Sequence, residues 1–457
     1  MDYRKLKEHL LSGGNREEAA LLLAGVSRMD QRTVLTVREV IPVPTSGYQT
    51  KGGLFLQVDP EFMAPLIKRC RYENASFILT HSHPFSGHSV GFSSVDDEGE
   101  EILVPKLKAR IPGRPHGFLV FGQDSIAGRM WLSEKENSDS IDIIRVIGER
   151  IKIFNTTNSK VEMNGGDVSE REAYHRQILV ISPRAQKILE KITIGVVGTG
   201  GVGSQVFVQM VHLGVGKIIA IDDEVLEKSN RSRVLASKPE DVKQEVPKVE
   251  IMKRYADATN PSVLVDAIMS PIEFNSVAMK LREADVIFCC TDNVRSRVVL
   301  NRLSFQYLIP LIDMGVDIQF DHGKIHAAAG RVMLIQPDGP CLECMGIITG
   351  EAIDRESNRN PTLPRGSYVT MLGEGEKGHH APAVVSFNGV VASLSVTRLL
   401  DMVSGIQDRR RPRTYEMFLI QSGEVRPYSM EPFVKCTMCK EVKGYADDIS
   451  LPCELDK

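Results

Sequence analysis

Two pairs of cysteines, Cys341-Leu342-Glu343-Cys344 and Cys436-Thr437-Met438-Cys439, each offer two thiolates at C-x-x-C spacing. Four such thiolates can close a tetrahedron, which is the composition of a structural zinc site. A second group suggests different chemistry. His81 and His83 follow the apolar run SFILT, and side chains two apart on a strand point the same way. Joined by one carboxylate they would give three protein ligands and leave a fourth position for water, the form of a catalytic zinc. Ser93-Ser94-Val95-Asp96, after a loop of small residues, brings a carboxylate close in sequence. Cys70, Cys289 and Cys290 lie in apolar runs and read as small buried hydrophobes. His88 reads as a solvated polar residue.

A third group would bind phosphate. Gly198-Thr199-Gly200-Gly201-Val202-Gly203 carries G-x-G-x-x-G between a strand-like and a helix-like run, where absent side chains let backbone N–H groups approach phosphates. NAD, FAD and ATP all fit this turn. The next strand ends in Asp222-Asp223-Glu224, where an acidic group can hydrogen-bond a ribose hydroxyl. Ser229-Asn230-Arg231-Ser232-Arg233, Pro247-Lys248 and Cys290-Thr291-Asp292-Asn293 then place cations, an amide and a carboxylate after successive strands. Hydride transfer needs neither the cations nor a metal-binding carboxylate. Attack on an α-phosphate needs both.

At these residues the chain resembles the ThiF and MoeB superfamily of ubiquitin-activating enzymes, which join ATP to the C-terminal carboxylate of a ubiquitin-fold protein. The resemblance covers about residues 170–440. It implies that Gly198, Gly200, Gly201 and Gly203 line the nucleotide, Asp222 and Glu224 hold its ribose, Asn230, Arg233 and Lys248 hold phosphates, and Asp292 holds Mg2+. Tyr174-His175-Arg176-Gln177 resembles the family's Y-x-R-Q segment, so Arg176 would reach across a homodimer interface into the partner's ATP site. The implied partners are a ubiquitin-like protein ending in glycine and a conjugating enzyme. The cysteine pairs match the family's zinc knot. No cysteine occurs between Cys344 and Cys436, so the chain would stop at the adenylate, pass it directly to a partner, or use Cys453 in the tail.

His81-Ser82-His83-Pro84, the Ser93 to Asp96 segment and the run beginning at Glu18 resemble the JAMM (JAB/MPN) metalloisopeptidases over residues 1 to about 135. That resemblance implies Zn2+ on His81, His83 and Asp96, Glu18 as general base and Ser93 steadying the oxyanion. The function expected is ATP-dependent adenylation of a ubiquitin-like modifier, with a fused zinc peptidase that processes or removes it. Two alternatives stand beside it: a sulfur-carrier adenylyltransferase whose product becomes a thiocarboxylate, and a nucleotide-binding scaffold without turnover.

Positioning these groups needs two domains. Residues 1–155 contain short β-rich runs such as VLTVREVIPV and HGFLVFG and read as one α/β unit, which the resemblance implies is of JAB/MPN type. Residues 156–172 are polar and aperiodic and read as a linker. Residues 173–457 begin strand, glycine turn, helix, strand, which implies a parallel, doubly wound Rossmann-like sheet. VLVDAIM, ADVIFCCTD and IPLIDMG supply further strands, each apolar enough to be covered on both faces. A net charge of -3 gives no concentrated basic face for nucleic acid, and the basic run at residues 409–413 reads as a solvated loop. No stretch reaches the ~18 apolar residues of a membrane span. Paired C-x-x-C units without a secretory signal indicate a reducing cytoplasm.

Overall fold

The computed structural model describes residues 2–30, 32–52, 55–148, 150–156, 168–321, 324–357, 382–407 and 414–454. The chain forms two compact units. The first comprises Met1–Val146, Ile151–Asn164 and Lys443–Ser450; the second comprises Ile147–Arg150, Gly165–Val442 and Leu451–Lys457. Most of the segment read as a linker lies outside the described residues, as does the basic run at 409–413. The helix Val168–Ile181 starts inside that linker segment.

In the first unit, the apolar run after Glu18 becomes the strand Ala19–Met29, which pairs antiparallel with Arg32–Pro42 on one side and Ser76–Ser82 on the other. His116–Phe121 then pairs in parallel with Ser76–Ser82. Alternation along Ala19–Met29 feeds two cores. Leu21 and Leu23 pack with Leu66, Leu107 and Phe77 on one face, while Leu22 packs with Leu6, Leu10 and Ile78 on the other.

Sequence boundaries assign Lys443–Ser450 to the second domain, yet this tail segment packs into the first unit. Strand pairing between Ala19–Met29 and Ser76–Ser82 ends at Ala24 and Ser76, and beyond it Ala446 bridges in parallel to Val26. The Asp447 N–H donates to the Val26 carbonyl at 3.0 Å. Asp448 accepts two bonds from Arg114, at 2.5 and 2.9 Å, and pairs with Arg38. All three side chains are at most 7% exposed, so a lost carboxylate would strand two buried guanidinium groups. Asp448→Ala is expected to cost about 3 kcal/mol. Trp131, the only tryptophan in the sequence, lies in the first unit and reports its unfolding. Its denaturant midpoint should fall in the variant, and an unchanged midpoint would contradict this role for the tail.

The second unit is built on an eight-stranded sheet, ordered Leu264–Ile268, Lys217–Ile221, Thr193–Val197, Val286–Cys289, Leu311–Asp321, Lys324–Ile335, Tyr415–Leu419, Glu424–Tyr428. The first five strands are parallel, as the crossover pattern requires. The last three continue antiparallel, an extension the apolar patterning did not reveal. Leu264–Ile268 differs from its reading as a fully covered strand: it is an edge strand with Leu264 exposed. Chain order reverses between Thr193–Val197 and Val286–Cys289, and the crevice beyond their carboxyl ends is where an open α/β sheet binds its ligand. Among the described residues no helix is long and apolar enough to cross a membrane.

Candidate functional site

The glycine turn leaves Thr193–Val197 at that crevice and enters the helix Gly203–Leu213. Gly198 has φ +85°, and a Cβ there would stand 2.9 Å from the Cys290 carbonyl group. A Cβ on Gly203 would overlap the Gly198 carbonyl oxygen. Both glycines are therefore needed for the turn to close against the neighbouring strand end. Gly200 has open space around its Cα, and the Arg233 side chain lies against Gly201.

Lys217–Ile221 delivers Asp222, which was expected on a ribose. Its carboxylate staples the glycine turn: Oδ2 accepts from the Thr199 N–H at 2.6 Å and its hydroxyl at 3.1 Å, and Oδ1 accepts from the Glu224 N–H at 2.9 Å. Burial pushes the Asp222 carboxyl up, against the pull of Lys248. Glu224 is the more open acid, with its side chain 46% exposed and paired with the buried Lys248 ammonium. The Lys248 N–H also donates to the Glu224 carbonyl at 3.1 Å, which fixes the lysine at the start of the helix Lys248–Thr259.

Asp292 follows the end of Val286–Cys289. Desolvation raises its carboxyl above the ordinary carboxylate value, and Glu224 adds to the rise, while Arg297 and Lys248 oppose it. Glu224, Lys248 and Asp292 are thus close enough to feel one another's charge beside the glycine turn. Asn230 and Arg233 sit one turn apart in the segment after Glu224. The Asn230 Oδ1 accepts from the Glu227 N–H at 2.8 Å, and Arg233 donates to the Ser229 carbonyl at 2.9 Å. Arg176 is exposed on Val168–Ile181, with the exposed Leu179 and Val180 three and four residues further on.

The four cysteines converge. Sγ atoms are separated by 3.7 Å (Cys341 to Cys344), 3.6 Å (Cys341 to Cys436) and 3.8 Å (Cys344 to Cys439). A tetrahedron with metal–sulfur bonds of ~2.3 Å has edges of about 3.8 Å, so the donor set fits zinc. The Phe433 N–H donates to Cys344 Sγ at 3.3 Å, the sort of outer hydrogen bond that steadies a thiolate ligand.

His81, His83 and Asp96 also converge. Nε2 atoms of the two histidines are 3.2 Å apart, His81 Nε2 lies 3.0 Å from Asp96 Oδ1, and His83 Nε2 lies 3.6 Å from Asp96 Oδ2. Edges near ~3.3 Å are what zinc on nitrogen and oxygen ligands requires. Asp96 is the third residue of the helix Ser94–Arg110, and its carboxylate closes a capping box with Ser93: Oδ2 accepts from the Ser93 N–H at 2.6 Å and hydroxyl at 2.8 Å. Ser93, expected at an oxyanion, is thus bonded to the ligand carboxylate and sets its direction.

Glu18, expected as the base, faces elsewhere. Its carboxylate accepts from the Tyr48 hydroxyl at 2.9 Å and pairs with Lys51. The register explains this. Ala19 stands opposite His81, so it shares the histidine face, as does Glu17 two residues before it, while Glu18 faces the opposite way. Glu17 Oε1 lies 3.7 Å from His83 Nε2, and burial, with a smaller push from Asp96, raises its carboxyl to about 7. Choosing between adjacent glutamates needed the strand register, which the sequence does not print.

Comparison with known proteins adds the following. The model of the ThiF family matches residues 174–437 and so does not bear on the first unit. The SAMP-activating enzyme E1 of Haloferax volcanii is 29% identical over 39% of this chain and 63% of its own length. The sulfur carrier protein adenylyltransferase of Thermus thermophilus is 30% identical over 38% of this chain and 64% of its own. Less than two thirds of either protein is therefore matched. The molybdopterin-synthase adenylyltransferase of Escherichia coli is 26% identical over 52% of this chain and 85% of its own length.

Proposed function

We propose, from the premise that this chain belongs to the ThiF family, that it uses ATP to adenylate the C-terminal glycine carboxylate of a ubiquitin-like protein. The observation that carries this reading is the placement of the Glu224–Lys248 pair and of Asp292 after strand ends on either side of the glycine turn, at the switch point of the sheet. A hydride-transfer site has no use for a buried lysine and a metal-binding carboxylate at the phosphate end.

In the reaction, a carboxylate oxygen of the terminal glycine attacks the α-phosphorus. The bond to the α,β-bridging oxygen breaks, and pyrophosphate leaves with that electron pair. No proton has to move, because the attacking carboxylate is already ionised. Backbone N–H groups of the glycine turn and the cations of Arg233 and Lys248 meet the negative charge that spreads over the phosphates. Asp292 would hold Mg2+, which supplies charge neutralisation on the leaving group. Glu224 orients Lys248 and is open enough to reach a ribose hydroxyl.

The names of the relatives support a small protein as acceptor of the adenylate. The lack of any cysteine between Cys344 and Cys436 favours adenylation of a sulfur carrier as the second reading. Arg176, exposed beside Leu179 and Val180, suits a homodimer in which the arginine completes the partner's site.

The first unit is read as a zinc peptidase acting on the same modifier. Zn2+ held by His81, His83 and Asp96 would supply Lewis acidity toward water and the scissile carbonyl. Glu17, in place of Glu18, takes a proton from the attacking water and hands it to the departing amine as the C–N bond breaks.

Adenylation is checked by the intact mass of a ubiquitin-fold partner after incubation with the chain, ATP and Mg2+. The expected product carries AMP on its C-terminal glycine, and a partner with an amidated C-terminus stays unmodified. Tight binding of NAD with no adenylate on any partner would contradict the proposal.

A further inference from the structure

The helix Val294–Tyr307 begins two residues after Asp292 and makes polar contacts with the four-cysteine centre as well as with the Asp292 loop. Arg297, which is 2% exposed, reaches back along its own helix: it donates to the Thr291 carbonyl at 2.5 Å and to the Asn293 carbonyl at 3.3 Å, while its Nε meets Asp313 at 2.9 Å. These two carbonyls flank Asp292. One turn further along the same face, the Asn301 Oδ1 accepts from the Leu342 N–H at 3.0 Å. Leu342 sits between Cys341 and Cys344. Asn301 is fully buried, and its Nδ2 has no partner among the described residues.

A second link runs beside the first. Glu356, in the helix Gly350–Ser357 that follows the Cys341-Cys344 pair, accepts from the Val294 N–H at 2.7 Å and the Arg295 N–H at 3.3 Å. The segment leaving the cysteine centre therefore also caps the helix at the Asp292 end. Buried hydrogen bonds such as those of Arg297 to Asp313 and of Leu342 to Asn301 lose their geometry in steps rather than continuously, because close-packed neighbours leave no intermediate positions.

We propose that this helix couples the four-cysteine metal centre to the Asp292 loop, with Asn301 and Arg297 as its positioning residues. Metal at the cysteines fixes the Leu342 N–H on Asn301 and the start of the Gly350–Ser357 segment. The helix then stands in the register at which Arg297 and Glu356 hold residues 291–295. Loss of the metal releases the knuckle, and the loop that carries Asp292 loosens with it. The coupling rests on the adenylation reading only for what Asp292 does. By linkage, Mg·ATP bound at the loop must tighten metal at the cysteines by the same factor that the metal tightens Mg·ATP.

The test uses the full chain loaded with zinc and the same chain stripped by a chelator, without nucleotide. Amide hydrogen exchange of residues 291–296 should quicken about tenfold on stripping, while the core strand Thr193–Val197 keeps its protection. Arg297→Lys should quicken the same amides with zinc still bound. Asn301→Ala should speed zinc loss to a chelator by about 10- to 100-fold and quicken residues 291–296 in proportion. In the wild type, saturating Mg·ATP should raise zinc affinity about fivefold, an effect Asn301→Ala loses. Unchanged exchange at 291–296 after stripping would overturn the coupling, as would an Asn301→Ala chain that loses zinc readily yet keeps those amides protected. A wild type that binds no Mg·ATP would sink the adenylation reading instead, and the nucleotide-free exchange data would still decide the coupling.

Discussion

Asp292→Ala is expected to lower partner-dependent adenylation by roughly 10²–10³ or more, the scale set by losing one preorganised group that meets transition-state charge. Asp292 is an exposed carboxyl at the strand ends, within electrostatic reach of Glu224, Lys248 and Arg297, so its removal takes away the anion that would hold Mg2+ where pyrophosphate departs. The alanine leaves no uncompensated cation, since Lys248 keeps Glu224 and Arg297 keeps Asp313. The variant should therefore fold normally, as judged by an unchanged thermal midpoint. Adenylation intact in this variant would contradict the assignment. Mixing Asp292→Ala with Arg176→Ala subunits should restore part of the activity, because one site of a mixed dimer would hold an intact Asp292 and an intact arginine from the other subunit. No rescue, with subunit exchange confirmed, would refute the arginine in trans.

Glu17→Gln is expected to reduce cleavage of a C-terminally extended modifier by about 10²–10⁴ with zinc retained, the usual contribution of a positioned proton carrier. Glutamine keeps the shape and the hydrogen-bonding reach of the side chain but cannot take up a proton. Glu18→Gln should cost far less, since Glu18 faces Tyr48 and Lys51 and not the histidines. Adenylation should survive in both variants, because every residue of the nucleotide site belongs to the second unit. Equal cleavage by Glu17→Gln and wild type, or a larger loss in Glu18→Gln, would return the base to Glu18 or remove the peptidase activity from the first unit. Zinc measured in each purified variant separates a lost base from a lost metal.

The contrast between those two glutamates shows where sequence reading stops. Groups close in the chain were legible: the glycine turn, the i and i+2 histidines, and each C-x-x-C pair, because local geometry alone aims them at one point. Strand order around the glycine turn was legible too, since a strand-helix-strand pattern has one favoured hand. That Glu17 and not Glu18 stands by His83 was not legible, because the face of a side chain depends on register, and register comes from pairing between Ala19 and His81, far apart in sequence. The motif gave Asp222 a ribose role but not its bonds to the Thr199 and Glu224 N–H groups, which only the folded turn brings to it. The return of Lys443–Ser450 to the first unit depends on a bridge to Val26 and on two arginines, Arg38 and Arg114, that no local pattern connects to Asp448. No sequence motif singles out Arg297, whose burial against Asp313 and the carbonyls around Asp292 exists only in the folded sheet.

ATP–pyrophosphate exchange by the wild-type chain tests the central claim most directly, because it reads reversible cleavage of the α,β-phosphate bond and nothing downstream. With Mg2+ and a ubiquitin-fold partner ending in a free glycine, label should pass from pyrophosphate into ATP, and the rate should collapse when the partner's C-terminus is amidated. Exchange that proceeds equally without a partner, or none with any ubiquitin-fold protein carrying a free C-terminal glycine, would contradict carboxylate adenylation at the Asp292 site.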